Sequence, residues 1–144
     1  SCSKRNLLVE DSRLINITGN SFRRHTPKYG TGVQLQRSTD CLISNCQFYD
    51  EAETGQESKA SLLELDTCQR INVSGNQLLD GAPYGVDVNH SSDVRITDCM
   101  ITEQRKTKVA QGAVRFTGRG ERNHLRSNSL LGTVEIDAAA NVKR

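Results

Sequence analysis

One position recurs along the chain at intervals of 23 to 30 residues, and this repeat limits the possible folds more than any other feature. Similar short segments surround each copy, and the copies are Asn20, Cys46, Asn76, Cys99 and Asn128. Thirteen residues before each of the first four copies stands an apolar residue, with a second one two positions later. Self-similarity at such a period is typical of folds in which each unit stacks on its neighbours.

Apolar and polar residues alternate at three places within each repeat. The first alternating pairs begin at Leu7, Val33, Leu63, Val86 and Val114; the second begin at Ile15, Cys41, Ile71 and Val94; a third apolar position holds Phe22, Phe48, Leu78 and Ile101. Because period-2 alternation places side chains on one face of a strand, each repeat contains three short strands. The pattern predicts an all-β parallel solenoid of about five to six coils. A β-sandwich, the alternative, would not keep one register through four repeats.

The composition fits a thin, stacked core. The 144 residues include three Phe, three Tyr and no Trp, so the interior is predicted to consist of aliphatic and small polar side chains. The net charge of +2 implies neither a charged tail nor a strong polyelectrolyte, and no nucleic-acid partner is expected. The cysteines are odd in number and form no CxxC pair, so we expect free thiols packed as small hydrophobic groups. They are Cys2, Cys41, Cys46, Cys68 and Cys99.

The two ends of the repeat show no cap. Val134 and Ile136 begin a sixth coil that is not completed, and neither end offers an amphipathic helix, although solenoids need polar caps for solubility. We expect a single domain over residues 1–144 that is a piece of a longer β-helix. Flanking sequence, another chain or proteolysis would account for its ends, and self-association through open coils is an alternative. The apolar runs are too short to span a membrane.

The recurring asparagines resemble a known structural device. Asn20, Asn76 and Asn128 are similar to the asparagine ladder that the pectate-lyase-like right-handed β-helix superfamily places between its second and third strands. Stacked amides satisfy buried polar groups, and Cys46 and Cys99 interrupt the series, so we expect a partial stabilising role. The resemblance covers essentially the whole chain and concerns its architecture. It implies a right-handed parallel β-helix in an extracytoplasmic or secreted protein.

Alternation also predicts which side chains of the first strands point outward. One column contains Leu8, Gln34, Glu64, Asp87, Arg115 and Glu135, and the next contains Glu10, Gln36, Asp66, Asn89, Thr117 and Asp137. Neighbouring coils lie about 4.8 Å apart, so Glu64, Asp66 and Asp87 are expected to form one patch. Three close carboxylates repel each other, and a cation, a raised pKa or Arg115 must compensate.

In the resembling superfamily this face holds the active sites. Its lyases bind Ca²⁺ with clustered acids, and its hydrolases use paired or triple carboxylates as acid and base. The resemblance therefore implies that Glu64, Asp66 and Asp87 are Ca²⁺ ligands or the acid and base. Arg115 would bind substrate, but it is unsuited to act as a base because guanidinium stays protonated.

The groove along this face is expected to bind a polysaccharide. Further substrate contacts are predicted at Gln34, Gln36, Asn89 and His90. Carboxylates on adjacent coils would lie about 5 to 5.5 Å apart, which is nearer the retaining than the inverting geometry of glycosidases. The alternative interpretation is that the acids and Arg115 form an ordinary surface ion network.

The loops after the third strands vary most in length, and they are predicted to wall the groove. Two carry basic clusters, Arg23, Arg24 and His25 in one and Arg105, Lys106 and Lys108 in the other. These residues either line the groove's rim or are solvated loop tips.

Two functional hypotheses follow from the sequence. The first is a carbohydrate-active protein, a lyase or a glycoside hydrolase, acting on an acidic polysaccharide along the first sheet. The second is a non-catalytic solenoid that binds glycan or protein or serves as a spacer. The sequence contains no Ser-His-Asp order, P-loop or nucleotide-binding fingerprint that would favour another chemistry.

Overall fold

The computed structural model describes residues 6–24, 32–52, 55 and 59–144. These residues form five coils of three strands each and the beginning of a sixth. Numbered in chain order, the strands are β1 (Leu7–Glu10), β2 (Asn16–Thr18), β3 (Ser21–Arg24), β4 (Val33–Gln36), β5 (Thr39–Ser44), β6 (Gln47–Asp50), β7 (Leu63–Asp66), β8 (Gln69–Ser74), β9 (Gln77–Leu79), β10 (Tyr84–Asn89), β11 (Ser92–Thr97), β12 (Met100–Thr102), β13 (Gly112–Thr117), β14 (Asn123–Arg126), β15 (Ser129–Leu130), β16 (Val134–Ile136) and β17 (Val142–Lys143). A 3₁₀ turn, Ala138–Ala140, separates the last two strands.

Corresponding strands of successive coils pair in parallel and form three sheets. Sheet 1 contains β1, β4, β7, β10, β13 and β16; sheet 2 contains β2, β5, β8, β11, β14 and β17; sheet 3 contains β3, β6, β9, β12 and β15. The register follows the sequence repeat, because Val33 lies opposite Leu63 and Leu63 lies opposite Val86. The predicted all-β parallel solenoid is confirmed. The described residues contain no helix that is long and apolar enough to cross a membrane.

The predicted inward residues form one continuous core. Val33, Leu63 and Val86 of sheet 1 are fully buried, and the rings of Phe22 and Phe48 in sheet 3 stack with centroids 5.2 Å apart. Four cysteines are buried and free, as predicted: Cys41, Cys46, Cys68 and Cys99. Burial raises the pKa of the Cys68 and Cys99 thiols. Cys2 lies outside the described residues.

Two of the three predicted ladder amides, those of Asn76 and Asn128, bind the backbone of the neighbouring coil, whereas the exposed Asn20 amide donates to the Thr18 carbonyl of its own coil at 2.9 Å. Asn76 Oδ1 accepts the Cys46 N–H at 2.9 Å, and Asn76 Nδ2 donates to the Ile43 carbonyl at 2.9 Å. Two coils further along, Asn128 makes the same two hydrogen bonds, accepting the Cys99 N–H and donating to the Ile96 carbonyl. At the intervening junctions the thiols of the two cysteines lie 3.7 Å from carbonyl oxygens. Hydrogen bonds of the asparagine side chains therefore join the second coil to the third and the fourth coil to the fifth. Weaker thiol contacts join the first coil to the second and the third coil to the fourth.

The corners between sheets 1 and 2 place charged residues in a left-handed backbone conformation. One column of such residues contains Leu14, Asp40, Arg70, Asp93, Arg122 and Asn141, with φ between 51° and 59°. Left-handed backbone costs roughly 1–2 kcal/mol per non-glycine residue. Within this column Arg70 Nε binds Asp40 Oδ1 at 2.5 Å, and Arg122 binds both Asp93 oxygens at 2.7 and 2.8 Å. These arginines lower the pKa of Asp40 and of Asp93.

Candidate functional site

Sheet 1 presents the predicted outward columns in the predicted register. Glu64 lies opposite Gln34 on one side and Asp87 on the other, and Asp87 lies opposite Arg115. In the second column, Asp66 lies opposite Gln36 and Asn89. The structure therefore brings Glu64, Asp87 and Arg115 into one line across three coils and places Asp66 beside that line.

Asp87 and Arg115 form a bidentate ion pair. Arg115 Nε and Nη2 donate to the two Asp87 carboxylate oxygens at 3.1 and 2.5 Å. Asp87 is only 3% exposed, whereas the Arg115 side chain is 32% exposed. Hydrogen bonding to Asp87 raises the pKa of Arg115. Because bidentate, charge-assisted bonds fix orientation, the guanidinium has a defined position on the sheet.

The aromatic ring of Tyr84 contacts the same guanidinium group. Arg115 Cζ lies 4.5 Å from the centroid of the Tyr84 ring, a distance typical of cation–π contact. The Tyr84 hydroxyl donates to Gln111 Oε1 at 3.4 Å, and burial raises the pKa of Tyr84. Tyr84 and Gln111 were not predicted from the sequence, because Tyr84 precedes the alternating pair of β10 and Gln111 lies in a loop of variable length.

Glu64 is held by N–H donors. Its Oε1 accepts the Ser61 backbone N–H at 3.1 Å, and its Oε2 accepts Gln34 Nε2 at 3.5 Å. The side chain is half-buried. Asp66, by contrast, has a local partner, since its Oδ1 accepts the Thr67 hydroxyl at 3.2 Å. The two carboxylates that lie side by side are thus those of Glu64 and Asp87.

The carboxylates are poorly arranged for the predicted Ca²⁺ site. Among the described residues, no group of three or more His, Cys, Asp or Glu side chains is placed to hold a metal ion. Both Asp87 oxygens bind Arg115, and both Glu64 oxygens accept N–H bonds. The Ca²⁺ site stays a prediction, and no step of the function proposed below depends on it.

The other predicted substrate contacts lie at the side of the face. Gln36 and Asn89 are half-buried, and the Thr117 hydroxyl donates to Asn89 Oδ1. His90 is exposed in the corner after β10, with a φ of 46°. Their roles in binding stay predictions.

Buried ion pairs fix the ends of third strands and the segments that follow them. Arg24, at the end of β3, is 1% exposed and donates to the Asp50 carboxylate and to the Ala82 carbonyl, the latter at 3.1 Å. The Arg105 guanidinium lies 3.7 Å from Asp50 and 3.4 Å from Glu103. The interpretation of Arg24 and Arg105 as solvated loop tips is therefore wrong, because buried carboxylates compensate both.

The remaining basic loop residues differ from these two. Arg23 is exposed and paired with Glu51, and Lys106 and Lys108 are exposed. His25 lies outside the described residues. Only part of each basic cluster is therefore available to line the rim of the predicted groove.

A cavity of about 260 Å³ adjoins the last coils of sheet 1. Its lining includes Lys108, Gln111, Gly112, Leu131 and Thr133. Gln111 connects it to Tyr84 and, through that ring, to Arg115. The cavity therefore lies close to the one fixed cation of the candidate site.

Comparison with known proteins agrees with the topology. A family model described as a right-handed beta helix region matches residues 1–130. No curated protein and no solved structure matches the chain. Since the match covers most of the 144 residues, the chain belongs to the right-handed β-helix family.

Proposed function

We propose that this chain is a carbohydrate-active protein that binds a polysaccharide lengthwise along the outward face of sheet 1. The column formed by Gln34, Glu64, Asp87 and Arg115 supports the proposal most, since each side chain lies opposite the next on successive strands. Glu64 and Arg115 are partly exposed, and the buried Gln34 and Asp87 bind them and hold them in place. Repeated polar groups on a flat sheet suit an extended ligand with repeated hydroxyl groups.

The charge of this face favours a sugar chain that is rich in hydroxyl groups over one that is rich in carboxylates. Its two outward columns contain one cation, Arg115, and six acids, which are Glu10, Glu64, Asp66, Asp87, Glu135 and Asp137. Like charges at such distances repel, so a uronate chain needs a bridging cation here. Sugar hydroxyls, by contrast, donate hydrogen bonds to carboxylates directly. A neutral polysaccharide is thus the better ligand.

Arg115 supplies the fixed donor for this ligand. Asp87 and Tyr84 hold its position, and its side chain remains partly exposed. A guanidinium has five N–H donors, and Asp87 occupies two of its nitrogen atoms. The remaining donors are directed to sugar oxygens, so binding does not require Arg115 to reorganise.

Glycoside hydrolysis is a second candidate function, favoured by the pairing of Glu64 with Asp87 on adjacent strands. Such enzymes use one carboxylic acid and one carboxylate on either side of the scissile bond. Glu64 is the more accessible of the two carboxyl groups, so it is the one expected to contact the scissile bond.

Binding measurements on matched variants test the proposal. Calorimetry is performed with neutral and uronate oligosaccharides, with and without Ca²⁺, on the wild type, Glu64→Gln and the control Glu121→Gln. Glu121 is an exposed acid on another coil corner. We expect a neutral oligosaccharide to bind the wild type and the control equally and to bind Glu64→Gln about tenfold more weakly, a loss of about 1.4 kcal/mol.

Product analysis in the same samples separates the two candidates. Turnover that disappears in Glu64→Gln identifies a hydrolase, and binding without turnover identifies a non-catalytic carbohydrate-binding solenoid. Equal binding by all three proteins, or no binding by the wild type, contradicts the proposal.

A further inference from the structure

The outward face of sheet 2 carries basic side chains on three successive coils. Arg95 of β11 lies opposite His124 of β14, which lies opposite Lys143 of β17. We call these three residues the basic column. Arg126 is two residues further along β14 and therefore on the same face. At about 4.8 Å per coil, the column occupies about 10 Å of the solenoid axis.

The basic column is not neutralised in the way that neighbouring arginines are. At the corner beside it, Arg70 is paired with Asp40 and Arg122 is paired with Asp93. In the described part of the chain, Arg95, Arg126 and Lys143 have no acidic partner. On this side of the molecule, the arginines at the corners therefore form ion pairs with acids, whereas the cations on the strands of sheet 2 do not.

This concentration of charge affects His124. Partial burial and the charges of Arg126, Arg95 and Lys143 lower the pKa of His124, and Asp93 opposes them only weakly. The groups lie within one Debye length of each other, about 10 Å at moderate salt, so solvent ions screen their repulsion incompletely. An anion bound here would relieve that repulsion.

A shallow, open groove of about 590 Å³ follows the basic column. Arg95, His124 and Lys143 line it together with Arg70, Asn72 and Asp93. Its lining therefore combines cations with an amide and a carboxylate. A ligand that matches it carries anionic groups as well as hydroxyl groups.

We propose that this groove binds a sulfated glycan aligned with the solenoid axis. The guanidinium of Arg95 and the ammonium of Lys143 bind sulfate oxygens through charge-assisted hydrogen bonds. Asn72 and the Asp93 carboxylate bind sugar hydroxyls between the sulfates. This site lies on a different sheet from the function proposed above and does not depend on it.

The lining favours a glycan over nucleic acid. Single-stranded nucleic acid is bound mainly by stacking on aromatic side chains, and the described lining residues include no Phe, Tyr or Trp. The DNA backbone offers no hydroxyl donor for the Asp93 carboxylate. A sugar ring carries both of the chemical groups that the lining requires.

The test uses a heparin-derived hexasaccharide, a desulfated hexasaccharide and a DNA duplex as probes. Each is titrated into the wild type, Arg95→Gln/Lys143→Gln and the control Lys59→Gln/Lys106→Gln. The control removes the same charge from exposed loop residues that follow third strands. We expect the double variant to bind the sulfated probe about tenfold more weakly, with the slope of log K against log salt reduced by about two, while the control is unchanged.

The variants are expected to fold, so a loss of binding is interpretable. Arg95 and Lys143 are exposed, and removing like charges relieves repulsion, so the thermal midpoint should equal or exceed that of the wild type. The proposal is overturned if the sulfated probe does not bind, if both double variants lose affinity equally, or if the desulfated probe binds as well. Preferential binding of the DNA duplex overturns it in favour of nucleic acid.

Discussion

Sheets 1 and 2 present opposite charges to solvent and balance them differently. On sheet 1, Arg115 lies between the carboxylate of Asp87 and the ring of Tyr84, so its charge is compensated within the protein. On sheet 2, Arg95 and Lys143 flank His124, and the described residues offer the two cations no acidic partner. The same strand alternation produces both faces. One solenoid can therefore carry different charge arrangements on separate sheets.

Charged side chains are paired most completely where they are most deeply buried. At the ends of β3 and β6, the side chains of Arg24 and Asp50 are 1% and 0% exposed and bind each other. On sheet 1 the pair of Asp87 and Arg115 is partly exposed, and on sheet 2 the unpaired Arg95 is exposed. Substitutions at these three depths are therefore expected to have decreasing effects.

The largest effect is expected from Asp50→Ala. It leaves the Arg24 guanidinium buried without its carboxylate, and breaking such a pair typically costs about 3 to 5 kcal/mol. Urea denaturation measures the loss in the free energy of unfolding. The matched control, Glu121→Ala, removes an exposed acid and should change stability by less than about 0.5 kcal/mol. A loss below about 1 kcal/mol for Asp50→Ala would show that this pair is solvated.

A second comparison substitutes one outward arginine on each sheet. Arg115→Met removes the partner of the nearly buried Asp87 and is expected to cost about 2 to 3 kcal/mol, because a desolvated charge loses its hydrogen bonds. Arg95→Met removes an unpaired, exposed cation and is expected to change stability by less than about 0.5 kcal/mol. Thermal and urea unfolding measure both. Equal losses in the two variants would contradict the distinction between the sheets.

The sequence repeat predicted the coils and much of sheet 1. Alternation together with coil spacing was sufficient to place Glu64 beside Asp87 and Asp87 beside Arg115. Tyr84 and the burial of Arg24 were not predicted, because they depend on the path of loops whose lengths follow no period. Periodic patterns determine which residues stack, but they contain no information on how irregular segments fold back over the coil.

The basic column was accessible to the same reasoning but was missed. Applied to the second strand, alternation places Arg95 and His124 on one outward line. Lys143 is harder to find, since it follows His124 by only 19 residues, which is shorter than the repeat. The 3₁₀ turn Ala138–Ala140 shortens this last coil and brings Lys143 into register. A fixed repeat length therefore cannot predict a charged cluster that spans a regular coil and a shortened coil.

The smallest expected effect is a change in the pKa of His124. This pKa responds to the unpaired cations of sheet 2. In the wild type we expect it below the ordinary value of 6.5, because of partial burial and the cations around it. Arg95→Gln/Lys143→Gln removes two of those cations and should raise the pKa toward 6.5, whereas Lys59→Gln/Lys106→Gln should leave it unchanged. Side-chain NMR titration of His124 measures the shift.

The lowered pKa also fixes the direction of a stability change. As pH falls, His124 takes up a proton in the unfolded chain before it does so in the folded one, so protonation favours unfolding. The contribution of His124 to stability is therefore present above pH 6.5 and is lost as pH falls through the lower, folded pKa. This loss should shrink in Arg95→Gln/Lys143→Gln. An unchanged His124 pKa in that variant would mean that burial alone causes the shift and that the charges of sheet 2 do not act together.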